Sequence, residues 1–137
     1  MQKVWRSWCD RKKKNNSILL EACKFGDLEL SKDLLDKNHG DLKADVNCKG
    51  EEGWTPFHFA CMSGNMDLVK FLLKNQPDID METKHKFTAL HIAAQHGFVD
   101  IVELLIELNV DTNSQDIYKN TALHYAALNG KIVSFLL

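Results

Sequence analysis

Six histidines and four cysteines are the side chains of this 137-residue chain best suited to metal ligation, acid–base work or nucleophilic attack. His58 lies in the stretch TPFHFACMSGN, residues 55–65, three positions after a threonine and ahead of a glycine. His85, His91 and His96 form the densest cluster along the chain. A metal site needs several such ligands converging on one ion at about 2 Å. The cysteines Cys9, Cys23, Cys48 and Cys61 show neither C-x-x-C pairing nor Cys/His ligand spacing. No phosphate-cradling glycine loop, H-E-x-x-H helix or G-x-S-x-G elbow is present. Chemistry therefore rests on the histidines alone, and their spacing decides whether they form a site.

The stretch around His58 recurs. TALHIAAQHGF begins at Thr88 and TALHYAALNGK at Thr121, so Thr55, Thr88 and Thr121 stand 33 residues apart, and so do His58, His91 and His124. A fixed period of this length marks a stacked repeat architecture, and a 33-residue unit with a T-P-L-H-x-A core is characteristic of ankyrin repeats. From about Ser17 to Leu137 the chain resembles the ankyrin-repeat family. The resemblance implies an all-α repeat solenoid of helix-turn-helix units joined by β-hairpin-like fingers. It also implies that each repeat histidine bonds its threonine and the neighbouring backbone. Stacking would set these histidines one repeat apart, too far to share an ion, with His85 on a finger and His96 at a helix end. The expectation is a scaffold without a catalytic residue, metal or cofactor, and not an enzyme.

The elements that position these residues follow from composition. Thr55 before Pro56 can cap a helix, and proline fits the first helical turn, where its missing N–H costs nothing. Thr88 and Thr121 keep the cap ahead of Ala89 and Ala122. The small pairs Ala60-Cys61, Ala93-Ala94 and Ala126-Ala127 suit close helix approach, and Gly64, Gly97 and Gly130 suit a left-handed helix end. LVKFLL at 68–73 and IVELLI at 101–106 read as second helices. The expected organisation is a basic, tryptophan-containing leader at 1–16, an N-capping repeat with a loop insertion at 17–54, repeats at 55–87 and 88–120, and an incomplete repeat at 121–137.

Both ends depart from the period. Aligning Gly26 with Gly64 makes Ser17 a degenerate helix start, and Ser31 and Asp33 replace positions that are apolar in later repeats. These two are expected to face outward, as a terminal repeat requires. Five surplus residues fall in KNHGDLKAD, read as an ordinary surface turn. At the other end Gly130 is followed by Ile132 after two residues instead of four, and the chain stops among Val133, Phe135 and Leu137. The expectation there is a fragment of a longer protein, or an uncapped face prone to self-association.

Residues 1–16 carry six Lys/Arg and one Asp, a local charge of +5, so the other 121 residues carry −7 of the total −2. RKKK at 11–14 suits a nuclear import signal, an anionic contact or a solvated leader, and a run this short favours the last. Trp5, Trp8 and Val4 would share one helix face and dock on the first repeat or on a partner. The acidic remainder argues against nucleic acid, and no apolar stretch argues for a membrane or a secretory signal. Unpaired cysteines point to the cytosol or nucleus, with a cytoskeletal association also open.

The expected function is protein–protein interaction, as a scaffold or adaptor that binds another protein and no small-molecule substrate. The alternative is a regulatory or targeting segment of a larger enzyme, channel or cytoskeletal or axonemal assembly. The resemblance places the binding groove on the fingers and on the exposed ends of the first helices. Its candidate residues here are Trp54, Met62, Phe87, Gln95, His96, Tyr118, Asn120 and Leu128.

Overall fold

The computed structural model describes residues 2–130, with the side chains of residues 2–5, 37–39 and 129 excepted. Among the described residues there are seven α-helices: α1 (Gln2–Lys24), α2 (Leu28–Leu34), α3 (Pro56–Ser63), α4 (Met66–Lys74), α5 (Ala89–His96), α6 (Val99–Glu107) and α7 (Ala122–Asn129). No strand occurs among the described residues. The fold is an all-α repeat solenoid.

Two helical layers build it. Helices α1, α3, α5 and α7 pack in sequence as an inner row, and α2, α4 and α6 form an outer row behind them. Small side chains allow the inner row its close approach: Ala60, Cys61, Ala93, Ala94 and Ala126 are all fully buried. The outer row supplies the bulk, through Leu68, Val69 and Leu72 on α4 and Ile101, Val102 and Leu105 on α6. Burying a leucine or isoleucine side chain contributes about 1.5–3 kcal/mol. Removing any one of these would therefore loosen two neighbouring repeats together. Helices α3 and α5 end on Gly64 and Gly97 at φ 75° and 72°. A Cβ at Gly64 would stand 2.7 Å from Phe98 Cζ, so a side chain there would have to displace the Phe98 ring as well as take a left-handed conformation.

Between repeats the fingers follow the same 33-residue period. Each is closed by the same backbone bond across its base: Gly50 N–H to Trp54 O at 2.8 Å, Thr83 to Phe87 at 2.9 Å and Asp116 to Asn120 at 3.0 Å. The turn residues Gly53, Lys86 and Lys119 share a left-handed φ of 74°, 62° and 63°. Successive fingers are also tied to each other, Lys84 N–H donating to Glu52 O at 2.8 Å and Ile117 N–H to His85 O at 3.1 Å.

The N-terminal region differs from expectation in three ways. Ser17 does not start a helix: α1 runs unbroken for 23 residues, so leader and first inner helix are one element. Nothing in residues 2–16 breaks a helix, since they contain neither proline nor glycine. Second, the surplus loop receives this extension. Lys12 Nζ donates to the carbonyls of Asp41 and Lys43 at 3.1 Å each, Asn15 Nδ2 donates to Leu42 O at 2.9 Å, and Asn16 Oδ1 accepts from Asp45 N–H at 2.8 Å. Third, Ser31 does not face outward. It is fully buried, its hydroxyl donating to Asp27 O at 2.8 Å and lying 3.8 Å from Cys23 Sγ. A satisfied hydroxyl can occupy the column that Val69 and Val102 fill in later repeats. Asp33 and Leu30 are exposed in its place. The short turn after Gly130 and the run Val133, Phe135 and Leu137 lie outside the described residues.

Candidate functional site

The repeat histidines are held inside their own caps. Thr55 N–H donates to His58 Nδ1 at 3.0 Å, with Thr55 Oγ1 2.9 Å from the same atom, while His58 N–H donates to Oγ1 at 3.3 Å. Because Nδ1 accepts, Nε2 carries the proton and donates to Met81 O at 2.9 Å. Burial pushes His58 below its usual pKa, outweighing the bond to Met81. His91 repeats the pattern, Thr88 N–H donating to Nδ1 at 3.2 Å and Nε2 to Asn120 O at 2.9 Å. His124 Nδ1 accepts from Thr121 N–H at 2.9 Å on an exposed ring. The Nε2 bonds of His58 and His91 join a helix start to the next finger, so these two histidines are cross-braces.

His85, His91 and His96 do not converge. His91 is buried in its cap, His85 Nδ1 lies 3.7 Å from Glu52 across the finger gap, and His96 stacks on Phe98 while Nδ1 donates to Ile92 O at 2.9 Å. Among the described residues no group of three or more His, Cys, Asp or Glu is placed to hold a metal ion. All four thiols are free. Burial raises Cys23 and Cys48 to about 12 and Cys61 well above its ordinary value, so these three are protonated and poor nucleophiles.

The eight candidate binding residues separate into two groups. Trp54 is half-buried, stacked on Phe59 with ring centroids 5.1 Å apart and edge-on to His58 at 6.0 Å. Phe87 is half-buried too, edge-on to His91 and Tyr125 at 6.3 Å each. Met62 packs against the core, and Asn120 acts through its backbone, accepting from His91 and donating to Asp116 Oδ1 at 2.9 Å. These four are largely wall. Gln95 and His96 are exposed, and Tyr118 and Leu128 keep 65% and 84% of their surface in solvent.

Two features were missed by reading the sequence. Phe25, 79% exposed, directly follows α1 at the position matching Ser63 and His96; the alignment of Gly26 with Gly64 contained that signal. Beside it, Leu20, Lys24, Gly50, Glu51 and Phe59 line a depression of ≈ 330 Å³ between α1 and the first finger. Asp116 is the second. Its Oδ1 accepts from Tyr118 and Asn120 N–H at 2.8 and 2.9 Å, and Oδ2 accepts from the Tyr125 hydroxyl. Burial works to raise its pKa, but the Tyr125 hydroxyl and the two N–H groups outweigh it and hold the carboxyl below its usual value. Thr83, one period earlier, does similar work by accepting from Phe87 N–H at 3.1 Å. The third finger is thereby locked with Tyr118 at its tip.

No helix among the described residues is long and apolar enough to cross a membrane. Short stretches of the chain match larger proteins. Human oxysterol-binding protein-related protein 1 is 37% identical over 68 residues, 46% of this chain and 7% of that protein. Mouse SMC5-SMC6 complex localization factor protein 1 is 42% identical over 40 residues, 29% of this chain and 4% of that protein. Human protein phosphatase 1 regulatory subunit 27 is 38% identical over 64 residues, 47% of this chain and 38% of that protein. The chain thus spans a small part of the curated relatives it matches. The family description "Ankyrin repeats (3 copies)" matches residues 19–116 and 80–137. With its 33-residue period, Thr–His caps and tied fingers, the chain belongs to the ankyrin-repeat family.

Proposed function

We propose that this chain holds a partner protein in the groove formed by its fingers and the ends of its inner helices, as a scaffold or adaptor. Ankyrin repeats are generally protein-interaction modules, with no catalytic role of their own. The observation that carries the reading is that, among the described residues, the three most exposed large apolar side chains fall at groove positions of otherwise well-packed repeats: Phe25 just after α1, Leu128 near the end of α7 and Tyr118 on the third finger. Tyrosine and bulky apolar groups on a rigid support bind at low entropic cost. The four free thiols fit a reducing compartment, the cytosol or nucleus.

A pulldown with mass spectrometry, comparing the chain with a Phe25→Ala/Tyr118→Ala/Leu128→Ala variant, tests this. The specific partner should disappear with the variant while its circular dichroism spectrum stays unchanged. A partner held equally by both proteins, with its contacts on α2, α4 and α6, would overturn the proposal. A second reading has its own support: the relatives named above are mostly far longer than the matched stretch. In that reading the repeats target or regulate a larger assembly, and the same groove does the holding.

A further inference from the structure

The finger tips carry a chemical sequence of their own. Because the fingers repeat every 33 residues, Glu51, Lys84 and Ile117 occupy one column, and Glu52, His85 and Tyr118 the next. Five of the six are exposed, and His85 is partly so. The first tip is doubly acidic. The second is basic, with Lys86 exposed beside Lys84, and the third turns apolar, Ile117 and Tyr118 being 47% and 65% exposed. Lys119 continues the positive sign at the third turn. The Glu52–His85 approach of 3.7 Å is between half-exposed groups and leaves Glu51, Lys84 and Lys86 outside the pair.

The columns are fixed in space. The bonds Lys84 N–H to Glu52 O and Ile117 N–H to His85 O join each finger to the next, and the closing bonds at 2.8–3.0 Å hold each tip. A partner therefore meets a preset order of charges. Neighbouring inner helices pack at about 8–10 Å, and an extended chain advances about 3.3 Å per residue. One finger thus corresponds to about three residues of an extended segment.

We infer that the groove selects an extended acceptor segment with a basic side chain over the first finger, an acidic one over the second and a large apolar one over the third, about three residues apart. The sign change between the first two fingers penalises the charge-reversed segment, giving specificity by repulsion as well as attraction. This rests on the groove reading above, but it adds the order of chemistries.

The test uses the full chain to select binders from a phage-displayed random-peptide library. The strongest binders are resynthesised and titrated against the wild type and against E51K/E52K, K84E and Y118A variants. Binders should carry the basic–acidic–apolar order. E51K/E52K should weaken them about tenfold, as expected for two partly exposed charge pairs. A peptide with its basic residue replaced by glutamate should regain affinity for E51K/E52K. Binders that lose affinity with Y118A yet ignore both charge variants would overturn this inference and leave the groove reading standing. Binders indifferent to Y118A as well would overturn both. A library that yields no binder would also overturn the inference.

Discussion

At the scale of single residues, the groups best equipped for chemistry are spent on architecture. His58 accepts at Nδ1 and donates at Nε2, so only the neutral ring satisfies both bonds. His91→Ala, which breaks the equivalent brace, should lower stability by about 1–2 kcal/mol, read as a denaturant midpoint shift, while leaving partner affinity nearly unchanged. The pH response follows from the direction of the His58 shift. Its folded pKa lies below the unfolded value of about 6.5, so the unfolded chain takes up the proton first. The stability that His58 contributes is therefore complete above about pH 6.5 and is lost as pH falls below it toward the folded pKa. Unfolding midpoints between pH 8 and 5 should show this decline, and His58→Gln should flatten it; a wild-type profile flat to pH 5 would contradict the assignment. Gly64→Ala combines a left-handed φ with a Cβ 2.7 Å from Phe98. It should destabilise by about 1–3 kcal/mol, visible as a lower thermal midpoint.

At the scale of elements, α1 sets this chain apart. Its middle is bonded to a loop that the 33-residue period does not require, and Lys12, Asn15 and Asn16 carry the attachment. Lys12→Ala with Asn16→Ala should thus release the extension without unfolding the repeats. Hydrogen exchange at residues 6–14 should accelerate by at least tenfold while residues 57–105 stay protected; equal protection in both proteins would show the loop bonds to be incidental. Two other helices show how position outweighs local rule. Asn65 caps α4 by accepting from Leu68 N–H at 3.2 Å, yet Phe98, at the same place ahead of α6, gives no side-chain cap. Packing of Ile101, Val102 and Leu105 keeps α6 in place regardless.

At the scale of the whole molecule, stability is close to a sum of repeats and their shared faces, so protection should vary along the stack. Cys61 and Ala94 are fully buried, but Ala127, at the matching position on α7, is exposed. Amides of α7 should exchange faster than those of α5, which is packed between α3 and α7. Binding belongs to this scale as well, because the groove draws on several repeats. Tyr118→Ala should weaken partner binding by about 2 kcal/mol with an unchanged circular dichroism spectrum, measured by calorimetry. Trp54→Ala is expected to behave differently. Its stacking on Phe59 and contact with His58 make it part of the packing, so it should cost stability along with affinity.

What the sequence alone determined is whatever depends on local and periodic chemistry. Thr–His spacing, glycine after each inner helix and apolar runs in the outer ones repeat every 33 residues, and each acts on its own repeat or its neighbour. That was enough for the fold and for the location of the fingers. Tertiary structure alone decided which side chains the stack covers. Trp54 and Tyr118 look equivalent as finger aromatics, but Trp54 finds Phe59, whereas Tyr118 projects from a turn that Asp116 holds shut. Ser31 is polar yet buried because Asp27 and Cys23 meet its hydroxyl. The leader reads as a separate segment by charge, yet it joins α1 because a loop 27 to 31 residues away supplies acceptors. Such outcomes depend on contacts between positions whose separation no local pattern encodes.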